Sequence, residues 1–282
     1  MPELNWLAAV ARLRAARCPG VLVTLATVRG HAPRAAGAKM VVSADDSWGS
    51  IGGGNVEAVA IERARELLAD PEAVADLLTV ALSDKAPYQH GVQCCGGEVR
   101  VLLEPLPVVP AVAIFGVGHV GLELARILAR HDIELHLIDT RPEQLRDARL
   151  AVLSDALAQV HVHRVPLLPE IVLGELPPGT HVLIMTHDHA EDAALCDAVL
   201  RTGQYGSIGL IGSAGKWARF RAKLADEGHG TETIARIRTP IGLPDIAGKE
   251  PATIAVSVAA ELVKAFASER AGAAPSQSEV DA

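Results

Sequence analysis

One short segment constrains the fold of this 282-residue chain more than any other. Residues 112–121 spell Val-Ala-Ile-Phe-Gly-Val-Gly-His-Val-Gly, an apolar strand pattern that runs directly into a GxGxxG turn and a helix. In such a turn Gly116 permits the tight bend, Gly118 lets the backbone approach a pyrophosphate, and Gly121 lets the helix pack on the strand. The segment therefore predicts a Rossmann-like parallel α/β domain that begins near Val112.

Asp139 and His119 complete the nucleotide site that this motif predicts. Asp139 ends the next predicted strand, about 20 residues after the turn, where a ribose-binding carboxylate is expected. His119 lies within the turn, where a small residue is more usual, and is a candidate ligand contact; the alternative is that it is simply exposed. Because Arg141 closely follows the acid, both NAD and NADP remain candidate cofactors. Many Rossmann folds keep their glycines after changing ligand, so the motif predicts the fold and leaves its occupant open.

Apolar strand patterns and helical patterns alternate throughout residues 112–268. Strands are predicted at 112–115, 134–138, 159–165, 181–186, 207–211 and 238–241, and helices at 119–130, 190–201, 215–227 and 251–268. This alternation predicts a parallel sheet with helices on both faces.

A different pattern precedes this domain. Residues 1–104 predict a smaller α+β domain with helices at 4–16 and about 55–69, and strands at 21–28, 38–43, 76–82 and 98–103. Prolines mark residues 105–111 as a linker, because proline does not fit the interior of a central strand. The small and polar residues 269–282 predict a disordered tail.

Charge and hydropathy exclude several classes of function. A net charge of −8 argues against a nucleic-acid-binding protein, which needs a basic surface. No uncharged apolar run reaches the roughly 18 residues of a membrane-spanning helix. The N-terminus has no signal-peptide pattern, which predicts a cytoplasmic protein. A mean hydropathy above zero leads us to expect a homodimer with an apolar interface.

A second glycine-rich turn lies at 49–54. We expect Asn55 to cap the helix that follows, and the amides of Gly52, Gly53 and Gly54 to be able to cradle an anion. Glu57 in the first helical turn would repel a phosphate on the helix axis, so a ligand with an anionic group and ring N–H donors suits the pair better. The alternative is a structural turn in which Glu57 complements the helix dipole.

Gln93, Cys94 and Cys95 stand before two glycines, which would leave a cysteine sulfur accessible on a loop. A thiolate there is able to bind a soft metal or carry sulfur, so Cys94 and Cys95 are candidate metal ligands and Gln93 a candidate cofactor contact. The pair lacks the further Cys or His residues of a structural zinc site. The alternative is a loop of small residues.

Two more turns follow predicted parallel strands, at the carboxyl edge where such sheets bind ligands. His187 and His189 lie in the first, where helix capping with ligand contact is favoured over metal ligation. Ser213 and Lys216 lie in the second, from which Lys216 is expected to reach an anion.

Taken together, six segments resemble the XdhC/CoxI family of xanthine dehydrogenase accessory proteins, which handle molybdenum cofactor. They occur in the family's order and cover nearly the whole chain. The matching segments are GSIGGGNVE (49–57), QCCGG (93–97), FGVGHVG (115–121), THDH (186–189), GLIGS (209–213) and TPIGL (239–243).

The resemblance implies an accessory factor with little or no turnover of its own. Such a protein binds the molybdopterin-based cofactor, protects it while a cysteine desulfurase installs the terminal sulfur, and delivers it to a xanthine dehydrogenase-type apoenzyme. Molybdopterin offers a phosphate, an edge of N–H donors and a thiophilic metal, which match the glycine amides, Glu57 and the Cys94–Cys95 pair.

Two rival functions rest on parts of the same pattern. An NAD(P)-dependent oxidoreductase would use the Rossmann-like domain, and it leaves the glycine–Glu57 and Cys94–Cys95 segments unexplained. A metal-dependent hydrolase would use His187 and His189.

Overall fold

The computed structural model describes residues 5–70, 72–81, 97–165, 167–202 and 204–270. The chain divides into two compact units: Met1–Val108 with Ala267–Ala282, and Val109–Phe266.

The first unit is built on an antiparallel sheet of five strands with the order β3-β2-β1-β5-β4. Its apolar core lies between this sheet and one helix, which contributes the buried Val56, Ala60 and Ala64. In chain order the elements are α1 (Trp6–Ala15), β1 (Gly20–Gly30), β2 (Lys39–Val42), β3 (Ser47–Gly49), α2 (Gly54–Ala69), β4 (Asp76–Ala81) and β5 (Gly97–Leu106).

Strand β5 differs from its prediction because it continues through Pro105 to Leu106. Leu103 is the last residue of β5 that pairs with β4, whereas Pro105 pairs only with Val21 of β1. Proline is tolerated at such a position, where one side of the strand has no neighbour that needs its missing N–H group.

The second unit contains six parallel strands in the order β11-β10-β9-β6-β7-β8. This confirms the predicted fold class, a Rossmann-like parallel sheet together with a smaller α+β unit. The strands are β6 (Ala111–Phe115), β7 (Glu134–Asp139), β8 (Gln159–Arg164), β9 (His181–Ile184), β10 (Ser207–Leu210) and β11 (Ile237–Arg238). The helices are α3 (His119–Leu128), α4 (Asp147–Leu150), α5 (His189–Thr202), α6 (Ala214–Asp226), α7 (Thr231–Ala235) and α8 (Pro251–Arg270), with 3₁₀ turns at Pro142–Leu145, Ala151–Leu153 and Pro169–Glu175.

Both faces of this sheet are covered, and its central strand β6 is accordingly apolar along its whole length. Leu124 of α3 and Leu262 of α8 are buried on one face. Leu195 of α5 and Leu173 of the 3₁₀ turn are buried on the other. Because all six strands are parallel, the turns that follow them lie at one edge of the sheet. These turns carry most of the candidate residues.

Within the described ranges, no helix has both the length and the apolar character needed to cross a membrane.

Candidate functional site

The GxGxxG turn joins β6 to α3, and packing dictates two of its glycines. Gly116 has a φ of 104°, and a Cβ atom there would lie 2.3 Å from the carbonyl oxygen of Met185. A Cβ atom on Gly121 would lie 2.1 Å from the carbonyl oxygen of Gly116. Gly118 is different, because the only atom within 4 Å of its Cβ position is Nη2 of Arg141, at 3.8 Å. The turn is thus closed at Gly116 and Gly121 and open at Gly118.

Asp139 is buried at the end of β7, and the chain itself occupies its carboxylate. Oδ2 accepts a hydrogen bond from the backbone N–H of Val117 at 2.7 Å. Arg141 donates from Nε to Oδ1 and from Nη2 to Oδ2, each at 2.9 Å, and its backbone N–H also donates to Oδ1. A carboxylate has about four acceptor positions, so all of them are taken. The expected ribose contact therefore requires displacement of one of these internal donors.

Arg141 and Arg149 both support the glycine turn, Arg141 through Asp139 and Arg149 directly. The Asp139 carboxylate beside Arg141 raises the pKa of that guanidinium above its ordinary value. Arg149 donates from Nη2 to the carbonyl oxygens of Val117 and Gly118, at 3.2 and 3.3 Å. His119 is exposed on the first turn of α3.

The turn after β9 is organised by helix capping. Oδ1 of Asp188 accepts from the backbone N–H groups of Ala190 and Glu191, at 2.6 and 3.2 Å. These bonds, chiefly the one from Ala190, lower the pKa of the Asp188 carboxyl. His187 and His189 are exposed, and neither belongs to the group of converging metal-ligand atoms found among the described residues.

Lys216 has a different environment from the one that the sequence suggested. Its side chain is only 9% exposed, and Nζ donates to Oδ2 of the buried Asp192 at 2.5 Å and to the carbonyl oxygen of Ile211 at 3.0 Å. Oδ1 of Asp192 accepts from the hydroxyl of Thr186 at 2.8 Å. The lysine therefore points inward and joins the turns after β9 and β10 instead of reaching an external anion.

Ser213 caps helix α6, since its Oγ accepts from the backbone N–H of Lys216 at 3.3 Å. Glu191 is a residue that the sequence analysis missed. Thr140, next to Asp139, donates from Oγ1 to Oε2 of Glu191 at 3.0 Å, and burial raises the pKa of the Glu191 carboxyl. The acidic run after Asp188 was the available signal, but only the folded chain brings it to the end of β7.

A cavity of about 640 Å³ lies beside the turn after β10, within the size range of small-molecule pockets. Arg238 at its wall forms an ion pair with Glu261. Lys249 also lines it, is exposed, and forms no ion pair with the described residues. The remaining lining residues include Gly212, Ser213, Ile241, Gly242, Leu243 and Ile246.

In the first unit, Glu57 fills the glycine turn that was expected to cradle an anion. Its Oε2 accepts from Oγ of Ser50 at 2.6 Å and from the backbone N–H groups of Ile51 and Gly53, at 3.2 and 2.9 Å. The carboxylate thus takes the place of an external anion, which is the structural alternative weighed from the sequence. The amide of Gly52 also donates internally, to Oγ of Ser50 at 3.1 Å.

Helix α2 begins at Gly54 and its N-cap is Gly53, so the prediction that Asn55 caps the helix is wrong. Asn55 lies within the first turn instead. Its Oδ1 is buried and has no hydrogen-bond partner among the described residues. The three hydrogen bonds that Glu57 accepts from the described residues all end on Oε2, and none of these residues donates to Oε1. Two acceptors therefore remain at this turn.

Gln93, Cys94 and Cys95 lie outside the described residues, and the roles assigned to them stay predictions.

Two family models match the chain. The one described as the XdhC Rossmann domain matches residues 112–262, which is more than half of the chain, and the one described as the XdhC and CoxI family matches residues 13–80.

Two relatives come from Escherichia coli strain K12. The molybdenum cofactor insertion chaperone PaoD is 27% identical over 273 residues, with 86% of this chain and 82% of PaoD covered. The uncharacterized protein YqeB is 28% identical over 262 residues, with 93% of this chain covered. The chain spans only 46% of the length of YqeB. A crystal structure described as a xanthine dehydrogenase from Bacillus halodurans is 19% identical, covers 94% of this chain and 96% of its own, and has a TM-score of 0.46.

Proposed function

The chain belongs to the XdhC and CoxI family, and on this premise we propose that it is a molybdenum cofactor chaperone. In this role it binds the molybdopterin-based cofactor, shields it while a cysteine desulfurase adds the terminal sulfur, and passes it to a xanthine dehydrogenase-type apoenzyme. The observation that carries the proposal is the similarity to the insertion chaperone PaoD, which extends over most of both chains.

The glycine turn of the first unit, taken by itself, suits a ligand that donates hydrogen bonds. Oδ1 of Asn55 is a buried acceptor without a hydrogen-bond partner among the described residues, and Oε1 of Glu57 is a second acceptor at the same turn. A buried polar atom normally has a partner, so an unsatisfied acceptor favours a ligand that donates. The N–H edge of a pterin is such a ligand. The phosphate does not fit here, because Glu57 already occupies the turn amides.

The cavity of the second unit, taken by itself, suits an anionic ligand. Lys249 contributes a positive charge that no described carboxylate neutralises, whereas Ile241, Leu243 and Ile246 supply apolar walls. We infer that Lys249 holds an anionic group of the ligand and that the apolar walls exclude water from it. When bound, the cofactor supplies the molybdenum that carries the terminal sulfur.

We further propose that Cys94 or Cys95 contacts the molybdenum or its sulfur. The thiolate is the reactive form and an ordinary cysteine has a pKa of about 8.5, so the loop has to favour deprotonation. Adjacent side chains on an extended segment point to opposite sides, so one of the two thiols faces the ligand. The proposal also includes a cytoplasmic location and a homodimer.

The alternative function is an NAD(P)-dependent oxidoreductase. The open side of Gly118 favours it, because a dinucleotide needs that space. The saturated carboxylate of Asp139 weighs against it, because the usual acceptor of the ribose hydroxyls is already engaged.

Purification of the chain from a molybdenum-replete host tests the proposal. We expect molybdopterin to accompany the protein and to be detected by the fluorescence of its oxidised form A, while a host unable to make molybdopterin serves as the control. The same preparations are titrated with NAD(H) and NADP(H) and assayed for hydride transfer. Absence of molybdopterin together with turnover of a small alcohol or acid would refute the chaperone function.

A further inference from the structure

Three histidines and a glutamate share one face of strands β7 and β8, away from the turns described above. His136 of β7 pairs directly with His161 of β8 in the parallel ladder. Glu134 lies two residues before His136, and His163 lies two residues after His161. Since residues two apart in a strand point to the same face, the backbone register alone brings these four side chains together.

The side chains contact one another closely. The rings of His136 and His161 are stacked with their centroids 4.6 Å apart, and Nδ1 of His136 lies 3.0 Å from Nε2 of His163. Nε2 of His136 lies 3.9 Å from Oε2 of Glu134. Three potential metal-ligand atoms converge here, one each from Glu134, His136 and His161, and all lie within 4.8 Å of one another. Among the described residues, this is the group of side chains that is placed to hold a metal ion.

Hydrogen bonding at His163 orients His136. Nδ1 of His163 lies 3.9 Å from Oε2 of Glu175, and a proton on this Nδ1 leaves Nε2 as an acceptor. His136 then donates from Nδ1 to His163, which places the lone pair of a neutral His136 on Nε2, towards Glu134. In this tautomer a cation lying between Nε2 of His136 and Oε2 of Glu134 would be bound by both atoms.

His161 provides a third donor. Its Nε2 is buried and has no hydrogen-bond partner among the described residues. Buried polar atoms in folded proteins are nearly always bonded to protein, to water or to an ion.

We propose that Glu134, His136 and His161 bind one divalent transition-metal ion of the zinc class. Two imidazole nitrogens and one carboxylate oxygen form a ligand set that zinc sites use, with a fourth position open to water. Imidazole favours zinc, copper, nickel and iron over magnesium and calcium. His163 is the outer partner of the site, because it accepts the second N–H group of His136 as such partners of metal-bound histidines do. Glu175 in turn lies next to His163.

Binding requires side-chain movement but no change of strand register. Tetrahedral zinc with bond lengths of about 2.0–2.1 Å needs its ligand atoms about 3.3 Å apart. The stacked rings of His136 and His161, with 14° between their planes, have to turn about their Cβ–Cγ bonds so that both planes meet the ion. Glu134 is 12% exposed at its side chain, which gives the ion a route from solvent.

The test uses the full chain without an affinity tag, with Cys94 and Cys95 replaced by serine so that these thiols do not compete for metal. We expect one Zn²⁺ per chain in a calorimetric titration, unaffected by excess Mg²⁺, and a visible ligand-field spectrum when Co²⁺ is used. His161→Asn and Glu134→Gln are expected to abolish stoichiometric binding. His163→Asn, outside the ligand set, is expected to weaken it about 10–100-fold.

His31→Asn is the matched control, because His31 is exposed and belongs to the other unit. Circular dichroism establishes that each variant is folded, and Glu134→Gln tests the site without altering a ring that packs in the sheet. The proposal is overturned if the parent protein binds no stoichiometric Zn²⁺, if a folded His161→Asn variant binds it unchanged, or if binding is lost in a His187→Asn/His189→Asn variant instead.

Discussion

Arg141 donates two side-chain hydrogen bonds of 2.9 Å to the carboxylate of Asp139. Asp139 lies at the strand end where the ribose-binding acid of a Rossmann-like fold is found. The same carboxylate also holds the amide of Val117 in the glycine turn. Asp139 therefore organises the turn from within, and a nucleotide whose ribose bonded to Asp139 would compete with this internal arrangement.

Removal of this clamp is expected to improve nucleotide binding. Arg141→Ser frees two acceptor positions on Asp139, and a hydrogen bond to a charged group contributes about 1.5–3 kcal/mol. We expect the affinity for NAD(H) to rise by about tenfold or more, as measured by calorimetry. Arg146→Ser, at an exposed position nearby, is the control and should leave the affinity unchanged. An unchanged or weaker affinity in Arg141→Ser would show that the clamp does not compete with ribose.

The two glycines Gly118 and Gly121 should separate binding from stability. Gly121→Ala forces a methyl group against the carbonyl oxygen of Gly116, and we expect a loss of about 1–3 kcal/mol in unfolding free energy. The valine side chain of Gly118→Val would lie in open space beside Arg141. We therefore expect it to block binding of a nucleotide or cofactor, while the melting temperature changes little. Thermal unfolding and ligand titration of both variants make the comparison. Equal melting temperatures would contradict the packing argument.

The buried pair of Lys216 and Asp192 should be costly to break. Lys216→Met leaves the fully buried Asp192 without its cation, and such a loss costs about 3–5 kcal/mol. The double variant Lys216→Met/Asp192→Asn should recover much of this loss, because an asparagine oxygen still accepts from Thr186. Urea unfolding measures the unfolding free energies of the wild type and of these two variants. Lys223→Met, which breaks only an exposed contact with Glu227, should cost no more than about 1 kcal/mol.

Glu191 should destabilise the protein as pH rises. Burial raises the pKa of its carboxyl above the ordinary 4.5, so its protonated form is favoured in the folded state. The resulting stabilisation is complete below 4.5 and is lost as pH rises through the higher folded value. Glu191→Gln keeps an acceptor for Thr140 without the charge, so its stability relative to wild type should increase with pH over this window. Urea unfolding at a series of pH values checks this, and a pH-independent difference would contradict it.

Single serine replacements should distinguish Cys94 from Cys95. Serine keeps the shape of cysteine but lacks its soft sulfur, so one variant should lose molybdopterin or its transfer to apoenzyme, while the other stays near wild type. Form A fluorescence of the purified variants and reconstitution of apoenzyme provide the readouts. Full retention of cofactor by both single variants and by the double variant would show that neither thiol takes part.

Periodicity and turn residues alone located most of the fold. Strands such as 134–138 and 207–211 were placed within a residue or two of β7 and β10, because short apolar runs bounded by turns are typical of buried strands. The motifs likewise identified the family, since the glycines that the backbone requires can be recognised directly in the sequence. Pro105 misled the prediction of β5, because a proline is compatible with a strand only where the neighbouring strand has ended.

The candidate site was less accessible to sequence analysis, because its contacts join residues that are far apart in the chain. Lys216 and Glu57 are charged residues beside glycine turns, and the sequence could not say whether they face a ligand or the protein. Lys216 turns inward because Asp192 lies buried in its reach, and Glu57 bonds to its own turn amides. Likewise, His136 and His161 meet only because β7 and β8 pair in one particular register. The sequence by itself determined the elements and the family, since local pattern and backbone sterics are encoded residue by residue. The tertiary structure decided which polar groups are already satisfied, since that depends on partners that folding alone brings together.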